Sequence, residues 1–170
     1  ISSNKNFNIE WVEYYASKEW DWIALSQHQN FKIEWVDQYQ EKLWDFKKIS
    51  KQDNLDIEWV KKYPNKKWDW NSISKHKNLK IEWLEICKDK NWNWFNVYKN
   101  SNLDIETLNT IFKNFKHYLD STFFISSNPN LNLDFINHNL DLNWDWTILS
   151  LNSNLDISWL KQYPEKNWDW

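Results

Sequence analysis

The side chains here that could do chemistry are four histidines, one cysteine and two rows of carboxylates, and their spacing limits what they can do. His28, His76, His117 and His138 stand singly and far apart. Zinc ligands come in close pairs such as C-x2-C or H-x3-H, and the sequence has no such pair. His28 and His76 share one position of a repeat, at the end of a predicted helix, where the helix dipole favours a cation. Cys87 is the only cysteine, which excludes an internal disulfide and suits a reducing compartment. It stands where Tyr15, Tyr39, Tyr63 and Tyr163 stand elsewhere, so it reads as an apolar filler. Phosphate-cradling loops are built on glycine, and the chain has none. No catalytic residue, cofactor or metal ligand is therefore assigned, and the chain reads as a non-enzyme.

The carboxylates recur in phase. Glu10, Glu34, Glu58, Glu82 and Glu106 form one row; Asp21, Asp45, Asp69, Asp145 and Asp169 form another. Such rows could dock a basic partner or a cation, but acids in a first helical turn are explained by the helix dipole alone. The 16 tryptophans could stack on sugars or single-stranded bases. Their strict phase favours core packing instead.

That phase reveals the elements. Ile-Glu-Trp stands at Ile9, Ile33, Ile57 and Ile81, with weaker versions at Ile105, Leu133 and Ile157. The step is 24 residues, lengthened to 28 between Ile105 and Leu133. An aromatic-Asp-aromatic motif keeps the same beat: Trp20 and Trp22, Trp44 and Phe46, Trp68 and Trp70, Trp92 and Trp94 (with Asn93 for the Asp), Trp144 and Trp146, Trp168 and Trp170. Two motifs in phase identify a tandem repeat. The fold expected is all-α, an α-solenoid of about seven helix-turn-helix repeats, with 1–170 as one array.

Each repeat reads as two short helices. The first follows Trp-Asp-Trp, with Asp69 and its equivalents as N-caps. The second opens at Asp56, Asp104 or Asp156, carries Ile57, Val60 and Tyr63 on an apolar stripe, and stops before Pro64 or Pro164. Between them lies an asparagine in every repeat: Asn6, Asn30, Asn54, Asn78, Asn102, Asn130 and Asn154. Asparagine tolerates positive φ best after glycine, so in a chain without glycine it is expected at the left-handed helix exit. A ladder of these amides binding a ligand is the alternative. Phe7, Phe31, Leu55, Leu79, Leu103, Leu131 or Leu155 follows the asparagine and is expected to plug the seam between repeats. Helices this short are marginal alone, so stability must come from stacking.

The stretch 105–126 breaks the pattern. It has Thr107 for the tryptophan, Asp120-Ser121-Thr122 for Trp-Asp-Trp, and four extra residues, close to one helical turn. Ser121 falls at the expected cap. Phe112, Phe115, His117, Tyr118, Phe123 and Phe124 gather here, either as a partner contact on a protruding helix or as aromatics refilling volume that the tryptophans left.

Net charge is −3 with both signs scattered, which disfavours a phosphate-tracking surface. No apolar run approaches a membrane span and no signal peptide is visible. The expected setting is therefore intracellular rather than secreted. Lysine without arginine and abundant asparagine fit an AT-rich genome; tryptophan runs against that drift and is structurally demanded. Both chain ends interrupt a repeat, so more repeats or end-to-end stacking is expected.

Asn128-Pro129-Asn130-Leu131 and Trp68-Asp69-Trp70-Asn71-Ser72-Ile73-Ser74 resemble the Asn-Pro-Asn and Trp-Asp-Trp tandem repeats of giant, mimivirus-like DNA viruses. The resemblance covers essentially the whole chain. It departs in order, Glu58-Trp59 replacing Trp-Glu, which shifts an indole around the helix. It implies no enzymatic activity and points to the host cytoplasm or the virion. The expected function is a scaffold for protein–protein interaction or structural assembly, with a protein partner or self-association through uncapped ends. The alternative is a nucleic-acid-binding helical array. Its reading positions would be Glu13, Asp37, Lys61, Glu85, Asn109, Asn137 and Lys161, which carry no net positive charge.

Overall fold

The structure, a computed structural model, describes residues 1–115 and 123–170. It is all-helical, with thirteen short helices and no strand among the described residues. Two kinds alternate. The first kind follows the aromatic-Asp-aromatic motif or its equivalent: α2 (Trp22–Leu25), α4 (Phe46–Ile49), α6 (Trp70–Ser74), α8 (Trp94–Tyr98), α10 (Phe123–Ser126) and α12 (Trp146–Leu149). The second kind begins at or beside the Ile-Glu-Trp position: α1 (Glu10–Tyr14), α3 (Glu34–Gln38), α5 (Ile57–Lys62), α7 (Ile81–Ile86), α9 (Ile105–Phe115), α11 (Leu133–His138) and α13 (Ile157–Gln162).

The chain forms two compact units, Ile1–Ile73 and Ser74–Trp170. In the second unit α10 lies against α8 and α12, and α9 against α7, so each kind stacks on its own kind. Every first-kind helix buries one aliphatic residue at the same register: Leu25, Ile49, Ile73, Val97, Ile125 and Leu149. Val12, Val36, Val60, Leu84, Leu108 and Ile136 do the same from the second kind. These register positions alone make a thin core, and further apolar side chains, the aromatic rings above all, thicken it. A buried ring removes ~150–250 Å² from water, or ~4–6 kcal/mol before ordering entropy is subtracted.

The first-kind helices are capped as expected. Asp21 accepts from Ala24 N–H at 2.8 Å, Asp45 from Lys47 and Lys48, Asn93 from Asn96, and Asp145 from Ile148. For the second kind, Asp56, Asp104, Asn132 and Asp156 accept from Glu58, Thr107, Phe135 and Ser158. Lys32 and Lys80 have no cap to offer: Lys80 precedes α7 without a side-chain bond, and α3 starts one residue late, after Ile33. The cap expected at Ser121 lies outside the described residues.

The helix exits differ from the sequence expectation. No described residue has positive φ, so the asparagines are not left-handed exits. The first-kind helices, which precede those asparagines, leave through Ser26, Ser50 and Ser150 in right-handed helical backbone, and the second-kind helices leave through Tyr15 (φ −121°, ψ 45°), Tyr39 (φ −127°, ψ 55°), Tyr63 (φ −122°, ψ 58°) and their equivalents. This backbone is open to any L-residue, and glycine is not needed. The freed carbonyl is satisfied by an indole. Trp44 Nε1 donates to Tyr39 O at 2.9 Å, Trp68 to Tyr63, Trp92 to Cys87, Trp144 to Asn139 and Trp168 to Tyr163. The first tryptophan of Trp-Asp-Trp therefore closes the previous helix as well as filling volume.

Candidate functional site

Two files of polar side chains, most of them buried, bind repeat to repeat within the units, and neither follows from the sequence motifs. The serine file consists of Ser2, Ser26, Ser50, Ser74, Ser126 and Ser150. Each accepts the backbone N–H of the residue nineteen positions on: Asp21, Asp45, Asp69, Asn93, Asp145 and Asp169, at 2.9–3.2 Å. Ser26, Ser50 and Ser150 donate their own hydroxyl one turn back, to Trp22 O, Phe46 O and Trp146 O. The same hydroxyl thus relays a hydrogen bond from one repeat into the next. At the irregular repeat the register holds Tyr98, fully buried, whose hydroxyl donates to Phe115 O. Burial lifts its pKa above the ordinary tyrosine range.

The amide file is Asn4, His28, Gln52, His76, Asn100, Asn128 and Asn152, always two residues before the invariant asparagine. The acceptor atom of Asn4, His28, His76, Asn100, Asn128 and Asn152 takes the backbone N–H of Asn6, Asn30, Asn78, Asn102, Asn130 and Asn154. The donor reaches the preceding repeat: His28 Nε2 to Asn4 O at 2.8 Å, Gln52 to Ser26 O and His28 O, Asn100 to Ser74 O and His76 O, Asn128 to Tyr98 O, Asn152 to Asn128 O. Imidazole and amide interchange because each offers one acceptor and one donor on a planar group. In His28 the accepting Nδ1 leaves the hydrogen on Nε2, a tautomer assigned from these bonds. The expectation of a cation at the helix end gives way to a buried hydrogen-bond bridge.

The invariant asparagines form a third, more exposed file. Asn30 donates to Lys5 O, Asn54 to Phe31 O, Asn130 to Ser101 O and Leu103 O, Asn154 to Pro129 O and Leu131 O. Asn102 departs, donating to Asn100 Oδ1. A ladder exists, then, but its amides hold the preceding repeat's backbone. Every buried side-chain polar atom among the described residues has a partner.

Aromatic cages mark the same seam. At Trp22, Phe46 and Trp146 the second aromatic of the motif sits between the exit tyrosine and the first tryptophan of the next repeat. Trp22 lies 5.1 Å from Tyr39 and 5.0 Å from Trp44, with Lys42 Nζ 5.7 Å over its ring. Phe46 stands likewise among Tyr63, Trp68 and Lys66, and Trp146 among Tyr163, Trp168 and Lys166. Phe31 contacts Trp35 and Trp44 and reaches Trp59 of the next repeat at 5.8 Å, so it plugs the seam as expected.

The described aromatics of the irregular repeat divide between core and surface. Phe112 and Phe115 are buried on the inner face of α9, Phe112 near Phe135 and Phe115 near Trp94. Phe124 is half-buried against Phe95, while Phe123 is exposed. His117 and Tyr118 lie outside the described residues. The extra turn lengthens α9 to 11 residues.

The proposed base-reading positions are partly consumed by repeat contacts. Gln38 donates to Glu13, Lys62 and Tyr63 bind Asp37, and Gln162 and Tyr163 bind Asn137. Partial burial raises the Asp37 pKa, but the bonds from Lys62 and Tyr63 and the Lys62 charge outweigh it and hold the carboxyl below its ordinary value. Burial and the bond to Asp37 push the Tyr63 phenol well above its own.

At the first repeat a groove of about 1070 Å³ is lined by Ile1, Ser2, Trp11, Tyr15, Lys18 and Trp20, among others. At the last, Trp170 is 92% exposed. Among the described residues no three His, Cys, Asp or Glu side chains are placed to hold a metal, and no helix is long and apolar enough to cross a membrane. Compared with protein families, curated proteins and solved structures, the chain matches none.

Proposed function

We propose that the chain is a non-enzymatic repeat scaffold for protein–protein interaction or structural assembly. The observation that carries this is how its polar side chains are used: histidine, asparagine, glutamine and serine groups are engaged in repeat-to-repeat bonds. Resemblance to the giant-virus repeats supports a virion or virus-factory setting inside a host cell. The nucleic-acid alternative would require free polar readers on a basic groove; the engagement of Glu13, Asp37 and Asn137 and the net charge of −3 weigh against it.

Light scattering across a concentration series, with and without single-stranded DNA and RNA at low ionic strength, tests the proposal. Mass that rises with protein concentration and ignores nucleic acid is the expected result. A salt-sensitive mass gain only with nucleic acid would favour the alternative and overturn the scaffold reading.

A further inference from the structure

The seam between α9 and α11 lacks a bridge that the chain builds elsewhere. Four places after the repeat's Ile or Leu stand Asp37 in α3 and Asn137 in α11. Each accepts the phenol of the tyrosine at the end of the next second-kind helix, Tyr63 or Tyr163. The side chain just before that tyrosine, Lys62 or Gln162, bonds the same acceptor. At the α9–α11 seam the register puts Asn109 at the acceptor position, but His138 and Asn139 where those donors stand. Both turn back to their own helix: His138 Nδ1 donates to Asp134 O and Asn139 Nδ2 to Phe135 O, each at 2.7 Å. No described side chain crosses to the exposed Asn109 amide.

What stands there is a cleft of about 510 Å³, within the ~300–1,000 Å³ of small-ligand sites. Its floor is apolar: Phe112 and Phe135 are buried, with ring centres 6.2 Å apart edge to face, beside the half-buried Ile105. Asn109 and Asn139 both line it, so it lies where a tyrosine bridges the other seams. Lys113 and Asp134 on the rim carry opposite charges, which suits a neutral guest. We infer that the cleft receives a tyrosine side chain of a protein partner. Its ring lies on Phe112 and Phe135, and its hydroxyl donates to the Asn109 side-chain oxygen as Tyr163 donates to Asn137. The rim also offers amide groups to the partner's main chain, since Asn132 Nδ2 and Asn139 Oδ1 are not used by the bonds those side chains make within α11. The inference rests on the interaction reading above and names its contact.

Heteronuclear NMR titration of the amide-labelled chain tests it, with N-acetyl-tyrosine amide, N-acetyl-phenylalanine amide and p-cresol as probes. The tyrosine amide is expected to give saturable shifts confined to α9 and α11, with half-saturation on the order of millimolar. The phenylalanine amide has no hydroxyl for Asn109 and should bind about threefold to tenfold more weakly. Bare p-cresol should also bind more weakly, because it brings no peptide groups to the rim. Asn109→Ala removes an exposed side chain that holds nothing in place, so it keeps the fold and should erase the preference for tyrosine over phenylalanine. Asn139→Tyr supplies the ring from within the chain, and should raise Tm and abolish the tyrosine-amide shifts. Absence of saturable shifts, equal binding of the two amides, or a Tm of Asn139→Tyr at or below wild type overturns the contact. If p-cresol binds as tightly as the tyrosine amide, the cleft takes free phenols and the protein partner is wrong. Each of these failures leaves the scaffold reading standing, because that reading falls on the mass measurement with nucleic acid.

Discussion

His28 shows how a single residue does its work here. Its Nδ1 accepts from Asn30 and its Nε2 donates to Asn4 O, and asparagine performs both tasks at positions 100 and 128. The position demands a planar donor–acceptor pair, and residue type is secondary. His28→Asn is therefore expected to change stability by less than about 1 kcal/mol, whereas His28→Leu leaves the part-buried Asn30 N–H and Asn4 carbonyl without this partner, at about 1–3 kcal/mol. Equilibrium urea unfolding of both variants measures this; equal losses would contradict the bridging role. The file escaped the sequence reading because its residues vary in identity while keeping one chemistry. The serine file had a clearer signal, a serine after Ile or Leu in nearly every repeat, but serine on a short helix drew no separate role. The asparagines are conspicuous in the sequence, but positive φ at a helix exit is only one use of a small amide and none of them adopts it.

At the scale of the element, the sequence was most informative at helix starts and least at helix ends. Asp45 and Asp145 caps follow from a carboxylate placed just before an apolar turn. The ends were opaque because their solution is tertiary. The carbonyl of Tyr63 accepts from Lys66 N–H and also from the indole of Trp68, five residues away. Trp68→Phe keeps the ring in its cage with Phe46 but removes the donor. The expected cost is roughly 1 kcal/mol for the bond and ~1 kcal/mol more for the smaller apolar surface. Thermal unfolding of Trp68→Phe should show a lower Tm; an unchanged Tm would mean the indole N–H contributes nothing to ending α5.

For the molecule as a whole, two periodic motifs made the all-helical repeat legible and even located the irregular repeat. They did not reveal what binds repeat to repeat, because those bonds join residues nineteen to thirty positions apart that share no motif. Arrays of this kind are held by nearest-neighbour terms, so within each unit the seam bonds must open together with the seam. Native-state hydrogen exchange at the backbone N–H of Asp45 tests this most directly, since that hydrogen lies on Ser26 Oγ of the preceding repeat and in no helical ladder. The account predicts protection comparable to the core amide of Ile49, lost selectively in Ser26→Ala. Exchange of Asp45 at the rate of an open loop in the wild type would contradict it.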